Sequence, residues 1–298
     1  METLTETLTA LGLLSLAPLL WKMRRAFRQT ALAGASLWFA LAWLTLVIVR
    51  VVTVGDAAST GKQSLAWYIA ATLSLSPAIA VLGARWPTAR VWNTFVVLPL
   101  LAVFLWPVAV GVLRGSRWEH WVLEEPMVLG YLLVLVMGTG NYVGSRWTLP
   151  AFVWGAAWLL IVPALCPAFA RFVPDARMGR QLGTLLITLA GWSIDWSVWK
   201  VLPQSGTEIP LERVWSDFRD LFGVVWSRRV QERFNEQAQQ ERWNVRIGSN
   251  GFEDSAGRNW NSYPPSAVDL AAAETHVRWL LQKFVESDWI DCRMKGRI

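Results

Sequence analysis

The chain has 298 residues, 54% of them hydrophobic, with mean hydropathy +0.32 and 21 tryptophans; that is too apolar for an ordinary soluble domain of this length. Its +6 net charge lies entirely before Lys200, with 14 Lys and Arg against 8 Asp and Glu there and 14 against 14 from Lys200 onward. A neutral polar tail argues against nucleic acid as a partner, and two cysteines at different depths, Cys166 in an apolar run and Cys292 in the tail, argue against a disulfide framework.

A helix needs roughly 20 apolar residues to cross a bilayer. The first such run, 7–21, is short and interrupted by Pro18. It is not a secretory signal, because its leader METLTE is acidic and the positive cluster follows the run instead of preceding it. Six stronger runs follow at 31–54, 65–82, 95–113, 126–143, 149–169 and 181–199. Between the first two runs, WKMRRAFR puts Lys22, Arg24, Arg25 and Arg28 in one short loop, which the positive-inside rule assigns to the cytoplasm. Alternation then places Arg85, Arg90 and Arg146 inside, and Asp56, Glu119, Glu124, Glu125 and Asp175 outside. Arg114, Arg117, Arg171, Arg177 and Arg180 also land outside and weaken the bias. Prolines within the spans read as kinks in a packed bundle, and Arg50, near the outer end of its span, is expected to snorkel outward.

Beyond the spans, VLPQSGTEIP is a turn-rich linker at 201–210. Helical spacing of Trp215, Phe218, Phe222 and Val225 predicts an amphipathic helix over 211–241. Acidic residues offset arginines on its polar face, which favours burial against protein, either a partner or the inner face of the bundle, over lipid. Asn250-Gly251 signals a hairpin, Ser266 with Asp269 resembles a capping box opening another helix, and a short helix follows at 289–294.

The candidate functional residues are few. GWSIDWSVWK places Asp195 on a stripe with Trp192, Trp196 and Trp199 near the inner end of the last span. The bland reading is an ionised carboxylate in an interfacial aromatic belt; the functional one is a protonatable group facing the interior. In the outer loop, His120 and Glu124 at i, i+4, with Arg117 nearby, could share a helical face. One such pair is not a metal site. The segment RWEHWVLEEP is similar, over its own length only, to the third helix of microbial rhodopsins in the spacing of Arg117, His120, Trp121 and Pro126. The span that this segment opens is followed by two more where that family has four, and no lysine lies within the last span to carry retinal, so the likeness ends there.

The sequence thus predicts an all-α polytopic membrane protein with about seven transmembrane helices, six at minimum, and a small α-rich (α+β) cytoplasmic C-terminal domain. The bundle spans 1–200, a linker 201–210 and the tail domain 211–298. No catalytic residue, cofactor or metal is identified. The expected role is a non-catalytic protein of a bacterial-type inner membrane whose tail binds a protein partner or a second copy. The alternatives are a small transporter or channel-like protein using Asp195, and a membrane enzyme with its site at 117–125.

Overall fold

The computed structural model describes residues 2–53, 60–114, 121–170, 172, 175–200, 209–249, 251–260 and 265–295, the side chains of 2, 3, 60, 170 and 195–200 aside. It is helical nearly throughout, and five of its helical stretches are long and apolar enough to cross a membrane: Leu4–Phe27, Ala33–Val52, Gly61–Leu82, Ala89–Leu113 and Thr148–Leu165.

Helices α1 (Glu2–Leu14) and α2 (Ala17–Phe27) form the first stretch. Pro18 sits in the first turn of α2, where a missing N–H costs no hydrogen bond, so the chain turns slightly and continues. Lys22, Arg24 and Arg25 are therefore helical rather than in a loop, which shortens the connection to α3 (Ala33–Val52). Helix α4 (Thr60–Leu82) contains Pro77. Proline leaves the carbonyl four residues back without its donor, and Ser76 Oγ donates to that oxygen, Leu73 O, at 2.5 Å. Helix α5 (Ala89–Trp92) runs through a π-helical turn at Asn93–Val97 into α6 (Leu98–Leu113). Tyr68 of α4 donates to Phe104 O at 2.6 Å, beside Pro107 of α6.

Helix α7 (Glu125–Gly140) is followed by α8 (Thr148–Ile161). The single run expected over 149–169 is divided: α8 stops before Pro163, a 3-10 turn follows, and α9 (Pro167–Ala170) begins at the next proline. Helix α10 (Ala176–Lys200) lies along α8 and α1. Gly183 permits its close approach to α8, since a Cβ there would meet Ile161 Cδ1 and Cγ1 at 2.6 Å.

The C-terminal segment comprises α11 (Pro210–Gln240), an antiparallel hairpin β1 (Arg246–Gly248) and β2 (Gly251–Glu253), α12 (Ala267–Leu281) and α13 (Ser287–Met294). Ser266 Oγ caps α12 by accepting from Asp269 N at 3.1 Å. Asn235 of α11 holds the hairpin through both its amide atoms, donating to Ile247 O at 3.0 Å and accepting from Ile247 N at 2.8 Å. On the other side of α11, Phe218 and Phe222 stack at 4.8 Å, and Phe284 meets Phe218, Phe222 and Trp226 edge-on at 5.3, 5.4 and 5.0 Å.

Candidate functional site

The most elaborated polar region is where α11, α12 and α13 meet the ends of the apolar helices. Three connections lie against it. At the first, Ala31 N donates to Phe284 O at 2.7 Å and Glu286 N to Gln29 O at 2.9 Å, with Thr30 bridged to Val285. At the second, Trp86 N donates to Lys283 O at 2.8 Å, and Trp226 Nε1 reaches Val81 O at 3.0 Å. The third connection, between α7 and α8, carries Asn141 and Arg146.

Asn141 meets a break in α11. Gly223 has φ 76 and ψ −177, so the helix ends and restarts there. A helix start leaves its first N–H groups without partners. Val224 N donates to Asn141 O at 2.7 Å and Val225 N to Asn141 Oδ1 at 3.1 Å, while Asn141 Nδ2 donates to Phe222 O at 3.3 Å. The cap of one element is thus supplied by another 82 positions earlier in the chain. A Cβ on Gly223 would lie 2.2 Å from Asn141 Nδ2 and 2.5 Å from Asn141 O, so glycine is required both for its left-handed φ and for the approach.

Arg146 adds charge to the same contact. Its backbone N–H donates to Asp220 Oδ1 at 3.0 Å, and its Nε lies 2.6 Å from Asp220 Oδ2, an ion pair off the line of the N–H. Its Nη2 pairs with Asp217 Oδ1, and Asp217 Oδ2 accepts from Arg293 Nε of α13 at 2.8 Å. Burial pushes the Asp220 carboxyl above the usual carboxylate range, and Arg146 draws it partly back.

A second polar cluster occupies the opposite ends of the helices. Glu6 is buried and accepts from Arg177 Nη2 at 2.7 Å. Arg50 is only 4% exposed, and both its Nε and Nη2 donate to Thr9 Oγ1, at 3.0 and 2.7 Å. The expected outward snorkelling of Arg50 does not occur, because α1 offers it a hydroxyl on the inner side of α3.

A cleft of about 530 Å³ on the C-terminal segment is lined by Trp243, His276, Trp279, Gln237 and Glu241 among others. Burial lowers the basicity of His276 below the usual imidazole value. Its Nε2 has no hydrogen-bond partner among the described residues.

Of the residues singled out from sequence, Trp215, Phe218 and Phe222 are buried within the chain itself and Val225 is half-buried. Glu124 is exposed, just before α7. Arg117, His120, the residues 201–208 of the linker and Asn250 of the hairpin turn lie outside the described residues. So does the side chain of Asp195, whose backbone belongs to α10. Both cysteines are free. Among the described residues no three His, Cys, Asp or Glu side chains gather as metal ligands would. Sequence reasoning passed over Asn141, Gly223 and Glu6, and took Arg146 only as a marker of orientation; the helix-breaking character of glycine was the one local signal at Gly223. Comparison with known proteins finds no matching family model, no similar curated protein and no similar solved structure.

Proposed function

We propose that this chain is a protein of a bacterial-type inner membrane with about seven spans, six at minimum, non-catalytic, which holds a small α-rich domain (211–298) on the cytoplasmic face of its bundle for a structural, assembly or signalling role. The observation that carries the reading is the convergence of connections 28–32, 83–88 and 141–147 on one C-terminal segment. Connections that alternate along the chain share a side only if each intervening helix pair crosses and returns, which agrees with the placement that Arg28, Arg85 and Arg146 suggest by charge. The described buried polar side chains in the middle of the helices, among them Thr72, Ser74, Ser76 and Thr188, are uncharged; ion pathways generally carry ionisable groups.

Because Trp215, Phe218 and Phe222 are taken up inside the chain, a protein partner or second copy would meet the outer surface of the domain, where Val268 and Trp279 are 79% and 54% exposed. A reporter fused after Ile298 should read cytoplasmic; an external signal would reverse the orientation. Asp195→Asn should leave the folded protein's activity intact. Loss of a proton-linked or ligand-linked activity in that variant would favour the transporter reading instead.

A further inference from the structure

The C-terminal end of α11 is closed by a residue that carries a side chain where glycine is usual. Arg242 has φ 57, the only positive φ at a non-glycine among the described residues. Arg242 N donates to Gln239 O at 3.3 Å and Trp243 N to Ala238 O at 2.9 Å, the paired bonds that end a helix over a left-handed residue. The turn folds Trp243 back beside α12, where its ring meets His276 edge-on at 5.8 Å. His276 in turn stacks on Trp279 at 5.6 Å.

These rings, with Gln237, Glu241 and Thr275, border the cleft of about 530 Å³, which Ala271 and Ala272 are too small to fill. Its lining holds one carboxylate and no cation, since His276, with its basicity lowered by burial, is uncharged at neutral pH. Glu241 Oε1 accepts from Gln237 Nε2 at 3.1 Å, and the carboxylate forms no ion pair with any described residue. Nearby cations are committed elsewhere: Arg233 pairs with Glu236, and Arg278 with Glu274 and Asp291. Lys283 Nζ lies 4.6 Å from the centre of the Trp279 ring, so the chain itself already places a cation on one of these indoles. No described cation lies over Trp243. The carbonyls at the end of α11 add the negative end of its dipole.

We propose that this cleft binds a small organic cation whose charged nitrogen carries methyl or methylene groups. The Trp243 ring covers the carbons, and Glu241 at the rim supplies the counter-charge. Indole faces attract such cations electrostatically, and a carboxylate beside them adds to the attraction. The inference is independent of the membrane orientation proposed above, because every residue it uses belongs to the C-terminal segment.

The test uses the full chain purified in a maltoside detergent, which carries no ammonium group. Choline is the probe, titrated at constant ionic strength and read by calorimetry and ligand-detected NMR. Its control is dimethylbutanol, in which carbon replaces the charged nitrogen without changing the shape. Choline should saturate one site, and dimethylbutanol should bind about tenfold more weakly. Glu241→Gln should weaken choline binding about threefold, as the loss of one exposed ion pair does. Trp243→Leu should weaken it about tenfold, and Trp243→Phe, which keeps a ring face, by less. Glu236→Gln, on the same helix but outside the cleft, should bind as wild type. Equal binding of choline and dimethylbutanol would reduce the cleft to an apolar groove and overturn the proposal. So would failure of choline to saturate wild type, or unchanged binding in a folded Glu241→Gln. If Trp243→Leu does not fold, the comparison of the two probes and the Glu241→Gln titration decide the outcome.

Discussion

Asn141, in the connection between α7 and α8, caps the helix that restarts at Gly223: its backbone and side-chain oxygens accept from Val224 N and Val225 N at 2.7 and 3.1 Å. The break in α11 and its cap are a single feature, because the left-handed glycine exposes the N–H groups that the asparagine takes up. Gly223→Ala should destabilise the fold by more than ~1 kcal/mol, from the strained φ and the collision with Asn141 together. Asn141→Ala should cost about 1–2 kcal/mol, as loss of a helix cap does, since its backbone bond to Val224 survives. Thermal unfolding in detergent and protease sensitivity of 211–295 read both; a Gly223→Ala protein as stable as wild type would mean that the break is incidental.

Arg146 joins Asp217 and Asp220 on the far side of the same contact. Arg146→Ala leaves Asp220, 6% exposed in its side chain, without its cation. Removing one partner of a fully buried pair costs several kcal/mol; here Arg146 is a quarter exposed, and ~2–4 kcal/mol is expected. The double variant Arg146→Met with Asp220→Asn should recover much of that loss, because no unpaired charge remains buried. Chemical denaturation of the three proteins provides the comparison, and no recovery in the double variant would show that packing of the Arg146 stem dominates.

Two carboxylates of the C-terminal segment should respond to pH with opposite signs. Hydrogen bonds led by the Arg258 backbone N–H hold Asp254 below the usual carboxylate range. Its stabilising contribution is present above the unfolded value of about 3.9 and disappears as pH falls through the lower folded value. Burial raises Asp220, so its contribution is greatest below about 3.9 and is reduced as pH rises through the higher folded value. Stability measured against pH should therefore lose part of its acid-side fall in Asp254→Asn, the rest coming from groups such as Asp291, which Arg278 also holds low, and part of any decline above about pH 4 in Asp220→Asn. Identical profiles for the two variants would contradict these environments.

Phe222 is fully buried, stacked on Phe218 and edge-on to Phe284. Phe222→Ala should cost roughly 3–5 kcal/mol, and Phe222→Asp more, as an unpaired charge enters the cluster. Limited proteolysis of the membrane-embedded protein would detect the released segment; unaltered resistance in Phe222→Asp would place the cluster outside the stable core.

Most of the helical layout was legible because apolar helices long enough for a bilayer need unbroken apolar sequence, and the loops between them concentrate polar residues. The stripe Trp215, Phe218, Phe222 was legible for the same periodic reason. What escaped were contacts set by distant pairs. Glu6 read as part of an acidic leader, yet it meets Arg177, 171 positions away. Arg50 read as a snorkelling charge because its sequence neighbours do not include Thr9, 41 positions away. Asn141 sits among small residues that suggest only close helix contact, and nothing local reveals that its partner is a break in another helix. Of the arginines that weaken the charge rule for orientation, Arg177 is tied to α1 through Glu6.

The most direct measurement is a disulfide cross-link between the first connection and the C-terminal segment in intact membranes. Thr30 and Val285 form an antiparallel bridge, which brings their backbones within disulfide reach. In a chain with Cys166 and Cys292 replaced by serine, Thr30→Cys with Val285→Cys should cross-link in high yield under mild oxidation. A protease site introduced within 201–208 and cut would then leave the two fragments joined until reduction. Fragments that separate without reduction, from protein that is otherwise folded, would contradict the docking of this segment on the helix ends.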